Sequence, residues 1–172
     1  MSVTEAVRVG PHAGALDWLA SHGVEYELRE HPLTITARET ARVEGIDPRR
    51  FAKTIGVRLD DDRRALVVVD AADRLDLVRA REVLHSGSVR LLDEQELLEL
   101  APDCEVGTLP PIGELFGVPV FADYVIHDDP EITFHAGSHH FTVHVERAGW
   151  ERGTRVTYAD LAARRDEPAW ER

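Results

Sequence analysis

The sequence is short of lysine, cysteine and long apolar runs, and each shortage excludes something. Of the 20 basic residues 19 are arginine, so Lys53 is the only lysine in the chain. The single cysteine, Cys104, excludes an intrachain disulfide, and no apolar run approaches the roughly 18 residues of a membrane span. The N-terminus lacks a basic stretch followed by an apolar one. We therefore expect a cytoplasmic protein that makes no membrane contact.

Several cofactor and nucleophile motifs are absent as well. The chain contains neither GxGxxG nor GxxxxGK[ST], and no serine lies in a GxSxG elbow. Cys104 lies between Asp103 and Glu105, two acids that raise rather than lower the pKa of a thiol. We therefore expect no bound cofactor and no covalent intermediate.

The length and composition are those of one globular domain. The chain has 172 residues, of which 43% are hydrophobic and 30% are charged. We place the domain at residues 1–165 and expect the polar segment 166–172 to be a C-terminal tail.

The net charge of −12 argues against DNA binding and against general nucleic-acid binding, but the charge is unevenly distributed. Residues 38–64 contain eight basic and six acidic side chains, whereas residues 104–146 contain seven acidic and no basic ones. Because charges more than about 8 Å apart are largely screened at physiological salt, the basic region could still meet an RNA phosphate. Such binding would be modest and salt-sensitive. A solvated surface of mixed charge explains the same pattern.

The order of periodic segments predicts an α/β domain with a mixed, curved sheet flanked by helices. Helices are predicted at 11–22, 36–45, 75–84, 93–101 and 157–165, and strands at 24–30, 55–59, 65–70, 118–122, 131–135 and 139–146. The charged turn 60–64 predicts a hairpin whose first strand begins near Lys53, and a turn is expected at Gly137 and Ser138. Glycine and proline breakers predict a shaped loop at 102–119.

Lys53 is the first candidate for chemistry. An ammonium is a compact point charge with three rotatable donors, and a guanidinium cannot replace it where one small oxygen-bearing group must be met. Its position near the start of a predicted strand would hold it on a rigid element. The alternative is that an arginine-rich composition left one lysine by chance.

The segment 107–113 (GTLPPIG) is the second candidate. Glycines let a backbone approach a ligand closely and prolines stiffen the path, so the loop could aim N–H groups at a carbonyl oxygen that gains negative charge. A plain structural turn is the competing interpretation.

Four histidines, His135, His139, His140 and His144, raise the question of a metal. If 139–146 is a strand, His140 and His144 share a face but lie about 13 Å apart, which is too far for one zinc ion. A three-ligand site would need the Gly137 turn to bring His135 beside another histidine. Surface or hydrogen-bonded core histidines are the simpler interpretation, and we expect no metal.

Four motifs together resemble one known family. They are FAKT at 51–54, ALVVV at 65–69, CEVGTLPPIG at 104–113 and ITFHAGSH at 132–139. In this order and spacing they resemble the YbaK/EbsC-type aminoacyl-tRNA deacylases, the family of the prolyl-tRNA synthetase editing domain and its free-standing relatives. The resemblance spans residues 13–161.

The resemblance implies a trans-editing enzyme that hydrolyses the ester between a wrong small amino acid and tRNA, without metal or covalent intermediate. Lys53 falls on the family's functional lysine, and Gly107 and Pro111 fall on the ends of its GxxxP loop. His135, with Gly137 two residues later, corresponds to a pocket position that the family fills variously with His or Asn.

His31 also has a counterpart in the family. No side-chain base is evident, so the resemblance implies that the substrate's ribose hydroxyl takes the proton. The implied partner is the acceptor end of a mischarged tRNA, and an aminoacyl-tRNA synthetase could assist its capture.

Two other functions remain open at this point. A non-catalytic module on the same fold would bind tRNA or an aminoacyl group without turnover. A metal hydrolase would use the histidine cluster and would be sensitive to chelators.

Overall fold

A computed structural model describes residues 10–163 of the chain. Its helices are α1 (Ala13–Ser21), α2 (Ala37–Glu44), α3 (Leu77–Val83), α4 (Glu94–Leu100), α5 (Tyr124–His127) and α6 (Arg147–Thr154), with single 3-10 turns at Pro48–Arg50 and Gly113–Leu115. Its strands are β1 (Tyr26–Glu30), β2 (Ala52–Leu59), β3 (Arg64–Asp70), β4 (Arg74–Leu75), β5 (Val89–Leu91), β6 (Val120–Asp123), β7 (Glu131–Ser138), β8 (Phe141–Glu146), β9 (Thr157–Ala159) and β10 (Ala162–Ala163).

The largest sheet is mixed, as predicted. Its order is β5-β2-β3-β6-β9, with antiparallel pairing among the first three strands and parallel pairing from β3 through β6 to β9. The hairpin of β2 and β3 pairs Ala52 with Asp70 at one end and Arg58 with Arg64 at the other. The predicted mixed α/β class is thereby confirmed.

A second, antiparallel sheet has the order β1-β8-β7, and β4 pairs with β10 in a short ribbon. An isolated bridge between Phe51 and Thr133 links the residue before β2 to β7. The start of β2, which carries Lys53, therefore lies where the two larger sheets meet.

The core covers both faces of β3. Val68 belongs to a cluster that includes Trp150, Phe134 and residues of α1, whereas Val67 and Val69 pack in a second cluster with α3. Alternate side chains of a strand point to opposite faces, and both faces of β3 are covered. This explains why its sequence is a continuous apolar run and does not alternate between apolar and polar residues. No helix within residues 10–163 is long and apolar enough to cross a membrane.

Capping residues fix two helices where the sequence predicted them. The Thr36 hydroxyl accepts from the Glu39 amide at the start of α2, and Gly45 ends that helix with φ +69°. Asp93 and Glu96 form a reciprocal capping box at the start of α4.

Three predicted elements were wrong in part. Residues 157–163 form β9 and β10 instead of a helix, and residues 164–172, with the predicted tail, lie outside the described residues. Residues 74–75 are a short strand, so α3 begins at Leu77. β7 continues through Ser138, which moves the predicted turn to His139 and His140.

Candidate functional site

A cavity of about 370 Å³ opens beside the start of β2. That volume lies within the range of small-molecule sites. It is lined by Ile35, Thr36, Ala37, Lys53, Thr54, Ile55, Gly56, Leu91, Leu92, Leu97, Gly107 and Leu109. The walls come from four separate regions: the N-terminus of α2, strand β2, the segment from β5 to α4, and the loop after α4.

Lys53 lines this cavity, and its ammonium has a backbone partner. Its Nζ donates to the carbonyl oxygen of Asp73 at 2.8 Å. A carbonyl carries no net charge, so this contact itself leaves the charge of the ammonium unchanged. The only lysine of the chain thus lies among the cavity-lining residues.

Gly107 brings bare backbone to the same cavity. Its φ of +85° is one that residues with a side chain adopt only with strain. The turn around it is closed by Thr108, whose amide and hydroxyl both donate to the Glu105 carbonyl, at 3.2 and 2.6 Å. Within residues 10–163 the Gly107 amide donates to no protein acceptor.

The turn at 105–108 is attached to β7. The Glu105 amide donates to the Gly137 carbonyl and the Gly137 amide donates to the Thr108 carbonyl, both at 3.0 Å. Gly137 has φ +80°, and a Cβ there would lie 2.9 Å from His12 Cβ. Gly137, predicted as a pocket residue, thus supports the loop from behind and does not line the cavity.

Pro111 is also part of the support. It is buried, and its carbonyl oxygen accepts a 2.8 Å hydrogen bond from Trp150 Nε1. Two residues later the Gly113 amide donates to the Thr154 hydroxyl at 3.1 Å. One end of the predicted GxxxP loop, Gly107, therefore lines the cavity, and the other anchors the loop to α6.

His135 lies behind the cavity wall in a buried hydroxyl network. The Thr40 hydroxyl donates to the Thr36 carbonyl at 2.9 Å, so its oxygen accepts from its other two partners. These partners are Thr34 Oγ1 at 2.6 Å and His135 Nε2 at 3.0 Å. His135 is thus linked through Thr40 to Thr36, a cavity-lining residue.

Burial keeps His135 neutral. Desolvation, assisted by His139 and His31, lowers the pKa of its imidazole to about 3. At neutral pH it serves as a hydrogen-bonding group and carries no charge.

His31 lies outside the cavity lining. Its Nδ1 makes a 2.8 Å hydrogen bond to the Pro32 carbonyl, and its amide donates to the His140 carbonyl. Nε2 is buried and has no hydrogen-bond partner among the described residues. The backbone of His31 is thereby attached to the turn between β7 and β8.

The histidines do not gather around a common point. His144 makes a 2.7 Å hydrogen bond to the Thr133 hydroxyl, and burial lowers the pKa of its imidazole to about 4. His139 lies beside the loop, with its Cε1 3.9 Å from where a Cβ on Gly107 would stand. Within residues 10–163 no group of three or more His, Cys, Asp or Glu side chains is placed to hold a metal ion.

The Cys104 thiol is a poor nucleophile. Burial, followed by the charge of Asp103, raises its pKa to about 12. The predicted direction is confirmed, but the main cause is desolvation, whereas the sequence pointed to the neighbouring acids.

Sequence reasoning missed several lining residues. Thr54 lines the cavity, and its buried hydroxyl has no hydrogen-bond partner among the described residues. A Cβ on Gly56 would lie 2.9 Å from Leu92 and 3.1 Å from Leu97, so these two leucines cover bare backbone. The order of apolar residues along the chain gives no signal that these distant segments converge.

Comparison with known proteins identifies the family. Residues 31–152 match the aminoacyl-tRNA editing domain. Proline–tRNA ligases of Halalkalibacterium halodurans and Shouchella clausii are each 30% identical to this chain, over 80% and 85% of its length. The chain spans about a quarter of those relatives, with 24% and 25% of their lengths covered.

Two solved structures share the fold. One is described as a candidate trans-editing enzyme for prolyl-tRNA synthetase, with a TM-score of 0.75, 23% identity, and coverage of 87% of this chain and 94% of the other. The other is the hypothetical protein APE2540, with a TM-score of 0.79, 21% identity, and coverage of 87% and 99%. With most of its length matched by the family, the chain belongs to the aminoacyl-tRNA editing domains.

Proposed function

We propose that this protein hydrolyses the ester that joins a wrongly attached small amino acid to the 3′ end of a tRNA. The observation that supports this most is that Lys53 and Gly107 line one cavity whose other walls are mostly apolar. Water adds to the ester carbonyl and the acyl–oxygen bond breaks, which releases the amino acid and a tRNA with its terminal hydroxyl restored.

Two groups have clear roles in this reaction. The Gly107 amide, which has no protein acceptor among the described residues, donates to the carbonyl oxygen as negative charge develops there. Lys53 holds a phosphate or carbonyl oxygen of the substrate. Since the described residues that line the cavity include no carboxylate, imidazole or thiol, the neighbouring ribose hydroxyl of the substrate is assigned as a relay. It takes the proton of the attacking water and passes its own proton to the departing ester oxygen.

The size of the amino acid is not decided by the cavity volume of about 370 Å³, although Leu92 and Leu97 close the cavity over Gly56. From the family resemblance we propose alanine, cysteine or serine as the group removed. A single methylene gives only about 1 to 3 kcal/mol of discrimination, so near neighbours in size should react at reduced rates.

The tRNA body has a basic approach to this cavity. Arg38 and Arg42 are exposed one turn apart on α2, in an outer depression of about 690 Å³ that shares Thr36 with the cavity. Because the curated relatives are proline–tRNA ligases, we propose a tRNA that accepts proline as substrate and the matching synthetase as partner, in the cytoplasm.

Replacing Arg38 and Arg42 together by alanine is expected to weaken tRNA binding about tenfold at low salt. Each lost phosphate contact also reduces the slope of log K against log salt by about 0.7 to 0.9. Binding is measured by fluorescence anisotropy from 50 to 200 mM salt. Arg81→Ala, an exposed arginine in another depression on α3, is the matched control. An unchanged slope in the double variant would exclude this face as the approach.

Gly107→Ala is expected to lower the deacylation rate about tenfold. A Cβ fits there without a clash, but φ +85° strains an L-residue by about 1 to 2 kcal/mol and moves the amide. Gly23→Ala is the control, because Gly23 has a similar φ of +66° with open space around a Cβ and does not line the cavity. It introduces the same backbone strain without moving the Gly107 amide. Equal rates for the two variants would remove the Gly107 amide from the mechanism.

A turnover assay separates a hydrolase from a binding module. tRNA is charged with alanine, cysteine, serine or proline and incubated with substoichiometric protein, with and without a chelator. We expect many turnovers of at least one mischarged species and no effect of the chelator. Binding without turnover would favour the non-catalytic module, and loss of activity with the chelator would favour a metal hydrolase.

A further inference from the structure

The tether of Lys53 depends on a turn that follows β3. The acceptor of the ammonium is the carbonyl of Asp73, 20 residues away in sequence and 2.8 Å away in space. A lysine has a flexible four-carbon stem, so the groups that bond its head decide where the head lies. What fixes the Asp73 carbonyl therefore helps to fix the ammonium.

The Asp70 side chain builds that turn. Its Oδ1 accepts from the amides of Ala72 and Asp73, both at 2.9 Å, and the Asp73 amide also approaches the Asp70 carbonyl at 3.2 Å. The Ala71 amide donates to the carbonyls of Pro48 and Phe51. Every amide from 71 to 73 is thereby bonded, and Asp70 supplies the acceptor for two of them.

The Asp70 carboxyl group is buried, and its compensation comes from the turn. Asp70 is 2% exposed, and no ion pair with a basic side chain involves it among the described residues. Burial and the neighbouring Asp73 raise the pKa of its carboxyl to about 7. Burying such a group is costly unless it is hydrogen-bonded, and the amides of Ala72 and Asp73 supply those hydrogen bonds.

We propose that Asp70 is a positioning residue for Lys53, acting through the 70–73 turn and the Asp73 carbonyl. It touches no substrate in this scheme. It holds the Asp73 carbonyl that accepts from the ammonium, and without it we expect the stem of Lys53 to sample more rotamers. The part of this proposal that concerns catalysis rests on the proposed deacylase function, whereas the part that concerns Lys53 itself does not.

The chain allows a direct measurement because it has one lysine. Reductive methylation with ¹³C-formaldehyde labels Lys53 and the N-terminal amine, and the dimethylated ammonium keeps one N–H for the Asp73 carbonyl. In the wild type we expect the Lys53 methyl groups to give two resolved NMR signals, as an immobilised group does. In Asp70→Ala they should merge into one signal at the position of a solvent-exposed lysine.

Two variants control for simple loss of structure. Asp70→Asn keeps an Oδ1 acceptor, so it should retain the wild-type signals and activity within threefold. Asp123→Ala removes another buried carboxylate, 0% exposed, whose oxygens accept from the amides of Val125, Leu161 and Ala162. It should lower stability and leave the Lys53 signals unchanged. If Asp70→Ala does not fold, Asp70→Ser takes its place. A serine hydroxyl can accept only part of the hydrogen bonding that Asp70 offers to the amides of Ala72 and Asp73, so the Lys53 signals should lie between those of the wild type and of a solvent-exposed lysine.

Enzyme kinetics supply the second readout. Asp70→Ala is expected to reduce the rate about tenfold and to change the same parameter, kcat or KM, as Lys53→Ala. The double variant should be no slower than Lys53→Ala alone, because the two act as one unit. Unchanged Lys53 signals in Asp70→Ala, or equal changes in Asp123→Ala, would overturn the proposal. If the wild type shows no deacylation but gives the expected NMR result, the deacylase function is refuted, while the role of Asp70 in positioning Lys53 is supported.

Discussion

Lys53→Ala is expected to slow deacylation of a mischarged tRNA at least 100-fold while leaving the fold intact. Lys53 is the basic residue of the cavity lining, and removing one preorganised electrostatic group from such a site typically costs about 10² to 10³ in rate. Among the described residues that line the cavity, no other side chain is charged. Lys53→Arg should recover little activity, because a planar guanidinium cannot take the place of the ammonium at the Asp73 carbonyl.

The comparison needs a variant on the same strand. Arg58 lies on β2 outside the cavity lining and contacts Glu96 at 3.0 Å, so Arg58→Ala should change the rate by less than threefold. Rates are measured under single-turnover conditions with melting temperatures alongside. A Lys53→Ala rate within threefold of wild type, about 0.7 kcal/mol, would show that the ammonium has no catalytic role.

Gly113→Ala is expected to destabilise the protein by about 3 kcal/mol or more. A Cβ at this position would lie 2.1 Å from the Val118 carbonyl oxygen and 2.9 Å from Val120 Cγ2. The first neighbour is backbone, so the chain itself must move, and overpacking of this kind falls at the severe end of known effects. The melting temperature should fall by roughly 6 to 12 °C for a chain of this size.

Gly10→Ala is the matched control for this substitution. Nothing lies within 4 Å of a Cβ at Gly10, so its melting temperature should stay within about 2 °C of wild type. An equally small change for Gly113→Ala would mean that the 113–120 segment is not packed as described. Because Gly113 closes the loop that carries Gly107, the folded fraction of the variant should also lose activity.

The parts of the fold that could be predicted carry their own local signal. Thr36 and Gly45 mark both ends of α2 through a side-chain cap and a left-handed residue, and Asp93 starts α4. The hairpin of β2 and β3 follows from two β-rich runs joined by a charged turn. In each case the stabilising contacts lie within a few residues of each other.

The predicted helix at 157–165 failed because distant contacts override its propensity. The Asp123 carboxylate accepts from the amides of Leu161 and Ala162, and Tyr158 pairs with Ala122 in a parallel ladder. The hydrogen-bonding partners lie 38 and 39 residues earlier and leave no trace in the local pattern.

Helix α6 was missed for a related reason. Its Gly149 and Gly153 look like helix breakers in sequence. A Cβ on Gly153 would lie 2.5 Å from the Trp18 ring, and one on Gly149 would lie 3.3 Å from Val24. Both glycines allow α6 to approach its neighbours closely, which only the tertiary structure reveals.

The candidate site was predictable in its motif residues and not in its walls. The structure brings Lys53 and Gly107 to one cavity, but it places Pro111, His135 and Gly137 behind the wall, where they hold the loop and α2 in place. A sequence motif shows which residues occur together, but it does not show which of them line the cavity and which support the lining residues from behind.

The most direct test of the proposed deacylase function is the single-turnover release of labelled alanine from alanylated tRNA that accepts proline. Wild type and Lys53→Ala are each used in excess over substrate, so that weak capture of tRNA does not limit the rate. We predict rapid release by the wild type and a rate at least 100-fold lower for the variant. Equal rates for the two proteins, or no release above the spontaneous rate for alanine, cysteine or serine esters, would contradict it.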